Sequence, residues 1–387
     1  MAQLKAARAT DVPPAMPDPD PDVVAADLGA CVRHGRVDGL AAGSGRAEAT
    51  ATATTTAAAA DQGRRRPPLV VVGHRGKGMN ALASPDPRLR GDIRENTLRA
   101  FNAAAASHPA VAYVEFDVQG QVSAKRVTEL NLDEFLSYGP QRDQGKAGKP
   151  LLRKLKDGRI LKWDVQSEDA LCTLREVFEG VHRRVGFNVE LKFDDDLFYT
   201  EERLTCILKS VLKVVFEHAN DRPIIFSSFQ PDAAQLIRKL QDKYPVYADP
   251  RRNSLEEAVK LCVAGGLQGI VSEVRAILRQ PSAVAKIKEA NKLSLMTYGQ
   301  LNNVAEVVYV QHLMGVDGVI VDLVQEIAEA VSAFTVVTAV QASGSQDGGG
   351  IVVGERMETA AVAVAGTPSF SPREVSFLLR LIPELVQ

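Results

Sequence analysis

The chain has 387 residues, is 45% hydrophobic, and carries 46 basic against 48 acidic residues for a formal net charge of −2. That length supplies a sizeable core for one large domain or two ordinary ones, and the charge balance leaves no bulk electrostatic case for nucleic acid or an anionic membrane. Cys31, Cys172, Cys206 and Cys262 stand apart with no Cys-x-x-Cys or Cys/His cluster, which argues against a zinc site and for a reduced compartment.

Residues 1–66 read as a disordered leader. Pro and Asp alternate from Pro17 to Asp22, Ala and Thr fill most of 49–60, and Arg64-Arg65-Arg66 follows. The apolar core of a secretory signal is missing, and Asp11, Asp18, Asp20, Asp22 and Asp27 speak against a plastid transit peptide, which is poor in acids. No run approaches the roughly 18 to 20 apolar residues of a membrane span. The expected location is cytoplasmic or plastid, soluble and without stable membrane insertion; the oligomeric state is left open.

From Pro67 the pattern becomes strands alternating with helices. Strand-like runs fall at 69–74, 113–119, 187–193, 223–229, 244–248, 269–274, 293–298 and 317–322, with helix-like or connecting stretches at 97–106, 171–183, 201–219, 231–243, 254–264, 281–291 and 303–314. This order, with largely apolar strands, implies a parallel sheet covered by helices. Polar residues close many of the runs, at His74, Asp117, Lys192, Ser227, Glu273, Tyr298 and Asp322. Function spread over so many strand ends favours an α/β fold of the TIM-type (β/α)8 barrel class at 67–331 over an open sheet with one switch point. The pair Gly265-Gly266 marks a helix end.

Two places break the rhythm. After Gln119 the chain runs through polar 120–126 with nothing strand-like before 187 except Leu161 to Val165, which leaves open a barrel short by one strand. The passage from Val246 to Arg251 is also abrupt. Residues 332–370, with Gly348-Gly349-Gly350, read as a linker, and 371–387 as a short amphipathic helix opened by Ser371-Pro372.

The chemistry gathers at three strands. Leu69 to Gly73 runs straight into His74-Arg75-Gly76, so a buried strand delivers two cationic side chains to one rim. Side chains alternate along a strand, so Glu115 and Asp117 share one face, as do Glu190 and Lys192. Three carboxylates embedded in apolar runs suit a hard divalent cation, Mg²⁺ or Ca²⁺; the plainer reading is a buried network of acids paired with Arg and Lys. His74 is placed for acid–base work on a phosphodiester oxygen, and the planar fork of Arg75 for two phosphate oxygens. Lys192 would add a point charge to the phosphate or hold Glu190, Glu95 could orient Arg75, and Asn96 or Thr97 could simply cap the next helix. Ser227, Ser228 and Tyr298 could touch substrate or merely close their strands, and Trp163 could be packing. Gly73-x-x-Gly76-x-Gly78 reverses the dinucleotide-binding spacing and no P-loop occurs, so a nucleotide-dependent enzyme is disfavoured.

These residues resemble the glycerophosphodiester phosphodiesterases, in particular their soluble plant-type members. The resemblance covers about residues 69 to 330 and rests on Gly73-His74-Arg75-Gly76, Glu95-Asn96-Thr97, Glu115-Phe116-Asp117-Val118, Asn188-Val189-Glu190-Leu191-Lys192, Phe226-Ser227-Ser228-Phe229 and Asp317-Gly318-Val319-Ile320-Val321-Asp322. It implies a TIM-type barrel, a divalent cation held by Glu115, Asp117 and Glu190, and hydrolysis of glycerophosphodiesters such as glycerophosphocholine to sn-glycerol 3-phosphate and an alcohol. His74 and Arg75 would then act at the phosphate with the support of Lys192; the reading of the residues adds Tyr298 at the substrate and Glu95 and Asn96 behind these groups.

One part of the family pattern is absent. There an apolar strand ending in His-Asp follows Glu-x-Asp-Val, and its histidine partners the first in catalysis. Here the histidines stand at 34, 74, 108, 182, 218 and 312, none before Asp, and Val127-Thr128-Glu129-Leu130 already resembles the segment beyond that strand. A skipped coding segment between Gln119 and Gly120 is the expected cause. The alternative function is therefore a catalytically impaired variant that keeps phosphate or metal binding as a module.

Overall fold

The structure, a computed structural model, describes residues 68–343 apart from 119–120, 123–124, 127–129, 144, 156, 194–197 and 250–253. The expected leader at 1–66 and helix at 371–387 lie outside these residues, as does the expected linker beyond 343. Eight parallel strands close a barrel: β1 (Val70–Gly73), β2 (Val111–Val118), β3 (Gly186–Leu191), β4 (Ile224–Ser228), β5 (Val246–Ala248), β6 (Gly269–Glu273), β7 (Ser294–Tyr298) and β8 (Gly318–Val321). Neighbours in sequence are neighbours in the wall, and β1 pairs with both β2 and β8 to shut it.

No stave is missing, which corrects the expectation of a barrel short by one strand. The eight staves are the eight strand-like runs of the sequence, those at 244–248 and 269–274 included. Leu161 does not supply a substitute stave: Ile160–Lys162 pairs antiparallel with Leu152–Lys154 in a separate hairpin. That hairpin, a second one at 121–126 and a short helix, Leu132–Leu136, all belong to the long connection between β2 and the next helix. Parallel staves are joined by crossovers, so a connection can grow or shrink without opening the wall.

The helices around the wall are α1 (Leu98–Ser107), α2 (Leu174–Gly180), α3 (Glu201–His218), α4 (Pro231–Leu240), α5 (Leu255–Gly265), α6 (Val274–Arg279), α7 (Ala305–Met314) and α8 (Val324–Ser343). Their starts follow from local chemistry: Thr97, Thr173, Thr200 and Ser254 each accept a backbone N–H from the first turn, and Thr173 forms a reciprocal capping box with Glu176. Gly266 ends α5 in the left-handed conformation, as the glycine pair implied. The stretch expected as one helix at 281–291 is a single α turn, Ser282–Ala285, running into a π turn, Lys286–Ala290. Helix α8 continues to Ser343, past the expected linker start at 332. Among the described residues no helix is long and apolar enough to cross a membrane.

Strand alternation divides the core in two. Val72, Ile225, Tyr247, Val271, Met296 and Ile320 pack together as the barrel's inner filling. Between wall and helices lies the larger cluster, in which Phe116 meets Phe101 at 5.4 Å and Phe187 at 5.2 Å, and Phe178 meets Phe187 at 5.1 Å between ring centres. Each fully buried ring contributes about 1.5–3 kcal/mol of apolar burial. Because Val114 and Phe116 face outward, Glu115 and Asp117 must face inward, toward the mouth.

Candidate active site and metal centre

Register assembles the carboxylates. Asp117 of β2 stands opposite Glu190 of β3, and Glu115 opposite Asn188 one row deeper. Ligand oxygens of Glu115, Asp117 and Glu190 lie within 4.8 Å of one another. The Lys192 ammonium, just beyond β3, sits 2.9 Å from Asp117 Oδ1 and 2.8 Å from Glu190 Oε1. Asp117 Oδ2 accepts from Asn96 Nδ2 at 3.0 Å and lies 3.1 Å from Arg75 Nε. Burial opposes the Asp117 charge, but Arg75 and Lys192 outweigh it and hold its carboxyl below the ordinary value.

Glu115 is the exception to that pairing. Its Oε2 accepts the Arg75 backbone N–H at 2.9 Å, while Oε1 is buried with no hydrogen bond. Burial, and after it the neighbouring Asp117 charge, pushes its carboxyl up to about 8. A network of paired acids leaves no such remainder. An all-oxygen set in which two buried oxygens, Glu115 Oε1 and Glu190 Oε1, accept no hydrogen bond fits a hard divalent cation, so this cluster could coordinate one.

His74 enters the site from the end of β1. Its Nδ1 lies 2.8 Å from Asp322 Oδ1 and its Nε2 3.9 Å from Glu115 Oε2. Burial lowers its pKa, but the Asp322 hydrogen bond and the Glu115 charge reverse that and leave it raised above 6.5. Asp322 is itself fixed: it accepts from Met79 N at 2.9 Å and from Asn303 Nδ2 at 3.2 Å, while Asn303 Oδ1 takes the N–H groups of Asp322 and Leu323. The sequence marked Asp322 only as a strand end. Closure of a barrel brings its first and last strands side by side, and the pairing of Gly73 with Val321 sets His74 next to Asp322; that signal was available.

Arg75 and Asn96 adopt positive φ, 50° and 55°, and the Asn96 N–H donates to the Arg75 carbonyl at 3.0 Å. Non-glycine residues seldom hold this conformation, and it gathers at sites where surrounding contacts enforce it. Gly76 turns at φ 92°, and a Cβ there would stand 2.7 Å from the Ala100 backbone. Gly76 thus lets the loop lie against α1, and Gly78 lets it pass the Asp322 backbone, steric roles unrelated to nucleotide binding. Thr97 caps α1, and Asn96 instead serves Asp117.

Glu95, its side chain only 1% exposed, accepts Arg75 Nη1 at 2.7 Å. The same oxygen, Oε1, also takes Arg153, from the hairpin in the long β2–α2 connection. Arg153 and Trp163 were missed or read as packing, since residues in an irregular connection carry no periodic signal. Tyr298 stands at the end of β7 with its ring 5.9 Å from Phe229, over which Lys192 Nζ lies at 5.6 Å; it flanks the cluster one ring away. Ser227 and Ser228 are buried and donate to Asn188 Oδ1 and the Leu191 carbonyl, which makes them strand closures. Glu273 caps α6.

Residues 74–326 match the sequence profile described as the glycerophosphoryl diester phosphodiesterase family. The chain belongs to that family. Among similar proteins of this phosphodiesterase family, the glycerophosphodiester phosphodiesterase GDPD1, chloroplastic, of Arabidopsis thaliana is 52% identical over 353 residues, covering 82% of this chain and 91% of its own. GDPD3 of the same plant is 52% identical over 296 residues, covering 69% and 79%. The crystal structure of a Silicibacter pomeroyi protein assigned to the glycerophosphoryl diester phosphodiesterases superposes with a TM-score of 0.51 at 18% identity, over 69% of this chain and 95% of that one, which supports the fold. An alignment of 353 positions that uses 82% of 387 residues must contain positions this chain lacks. Of the described histidines other than His74, His108 follows α1, His182 follows α2, His218 ends α3 and His312 lies in the last turn of α7, so each sits where a helix returns toward the opposite rim.

Proposed function

We propose that the chain hydrolyses glycerophosphodiesters such as glycerophosphocholine to sn-glycerol 3-phosphate and an alcohol, with Glu115, Asp117 and Glu190 holding Mg²⁺ or Ca²⁺. The observation that carries this reading is the meeting of three strand-borne carboxylates within 4.8 Å beneath His74, Arg75 and Lys192. Membership of the phosphodiesterase family and the names of the plant relatives supply the substrate class. The chloroplastic designation of one relative accords with a plastid or cytoplasmic location.

A divalent cation bound there supplies Lewis-acid polarisation of a phosphoryl oxygen. The remaining work falls to the chain. Arg75 and Lys192 lend positive charge to the phosphate while sharing Asp117, and Asn96 keeps that carboxylate in place. Asp322 accepts the hydrogen bond of His74 Nδ1–H, which leaves Nε2, on the Glu115 side, as the atom that accepts or returns a proton during phosphorus–oxygen cleavage. Tyr298 borders the substrate space beyond Phe229.

A second reading, a catalytically impaired module that binds phosphate and metal, is favoured by the single histidine of this rim among the described residues. Loss of one acid–base group costs about 10²- to 10⁴-fold in rate. Release of glycerol 3-phosphate from glycerophosphocholine with Mg²⁺ or Ca²⁺, wild type beside His74→Ala and Glu115→Gln, separates the two. The hydrolase reading expects wild-type release that both substitutions abolish. Equal, negligible release from all three favours the catalytically impaired reading instead.

A further inference from the structure

The hairpin at 152–162 has two unlike faces. Leu152, Lys154, Ile160 and Lys162 point to solvent, while Arg153 and its cross-strand partner Leu161 face inward. Arg153 reaches Glu95 Oε1, the oxygen that accepts Arg75 Nη1, and donates through Nη1 to the Asn80 carbonyl at 2.5 Å. Its guanidinium is held in place. It stacks 4.2 Å over the Trp163 ring, whose other contact is Arg94 at 4.8 Å, and Trp163 Nε1 donates to Asn80 Oδ1 at 3.0 Å. Asn80 is fully buried and uses the same oxygen to accept the Glu95 N–H at 3.1 Å.

Two guanidinium groups meet on one buried carboxylate oxygen, and one of them comes from a hairpin that is no part of the barrel wall. The arrangement matters for Arg75. The Arg75 guanidinium lies 2.7 Å from Glu95 Oε1 and 3.1 Å from Asp117 Oδ2, two carboxylates that offset its attraction for a phosphate. A second cation drawing on Glu95 returns part of that attraction and fixes the carboxylate plane against which Arg75 lies.

We propose that Arg153 is a positioning residue for the reaction, acting through Glu95 to keep the Arg75 guanidinium oriented and available to the substrate phosphate. The long β2–α2 connection thereby takes part in catalysis through a residue that contributes nothing to the barrel wall. This rests on the hydrolase reading for the identity of the phosphate, and on the described contacts for the rest.

The test is a double-mutant cycle in the full chain, with Arg153→Ala, Arg75→Ala and both together, Arg153→Lys alongside, and a thermal midpoint for every variant. The two readouts are kcat/KM on glycerophosphocholine and calorimetric affinity for sn-glycerol 3-phosphate, the second remaining measurable where turnover is lost. Arg153→Ala is expected to weaken each about 10- to 100-fold, as other supporting partners of site residues do. It should do nothing further in the Arg75→Ala background, and Arg153→Lys should recover part of the loss. Equal losses with and without Arg75 would make Arg153 a merely structural anchor and overturn the proposal; so would no loss at all. If Arg153→Ala does not fold, the same cycle run with Arg153→Lys decides between the two outcomes. Should Arg75→Ala alone leave turnover and product affinity intact, the hydrolase site itself is misassigned, a separate failure.

Discussion

His74 and Asp322 sit side by side because the first and last staves of the barrel pair, and their hydrogen bond decides which imidazole nitrogen is free. Asp322→Asn removes both the charge and the preference for a proton on Nδ1. Turnover should fall substantially, by up to the 10²- to 10⁴-fold that acid–base assistance is worth. The direction of the accompanying pH effect follows from the cause: Asp322 raises the His74 pKa, so its loss lets that pKa drop. The limb of the kcat/KM profile governed by His74 should move to lower pH. A profile that keeps its midpoint would show that Asp322 does not tune His74.

At the scale of elements, the strands that bear the chemistry are held by outward-facing rings. Phe187 is fully buried between Phe116 and Phe178, so Phe187→Ala should cost about 3–5 kcal/mol in denaturant unfolding, whereas Val263→Ala, on the exposed side of α5, should stay within about 0.5 kcal/mol. Equal effects would mean that these rings do not hold β2 and β3 together. The same contrast explains what could be read from the letters alone. All eight staves were legible because apolar runs bounded by turns report burial directly, and the carboxylate cluster was legible because acids inside apolar runs need a partner. The β2–α2 connection was not. Its anchors are polar contacts between distant residues, such as Trp163 with Asn80, 83 positions apart, and no local period encodes them. The expectation of a missing stave came from counting the absent His-Asp strand as part of a wall that closes without it.

For the whole molecule, the orphaned oxygen of Glu115 links stability to pH. An unfolded glutamate ionises near 4.5, whereas burial delays Glu115 to about 8. Between those values the folded chain holds the extra proton, so metal-free protein should lose stability as pH rises, by a few kcal/mol in total. Thermal midpoints taken in chelator across this range should fall, the fall should flatten in Glu115→Gln, and saturating Mg²⁺ or Ca²⁺ should restore stability at the alkaline end by binding only the folded chain. A slope unchanged in Glu115→Gln would place its origin elsewhere.

The barrel wall closes without any residue of the β2–α2 connection. Chaperones and proteases act on chains that unfold, and a version of this protein trimmed in that connection keeps every stave of the wall. Abundance, solubility and a sharp melting curve would therefore be shared by working and silent versions alike. A silent version would still compete for the same ion and the same phosphate, and only a measurement of product would tell the two apart.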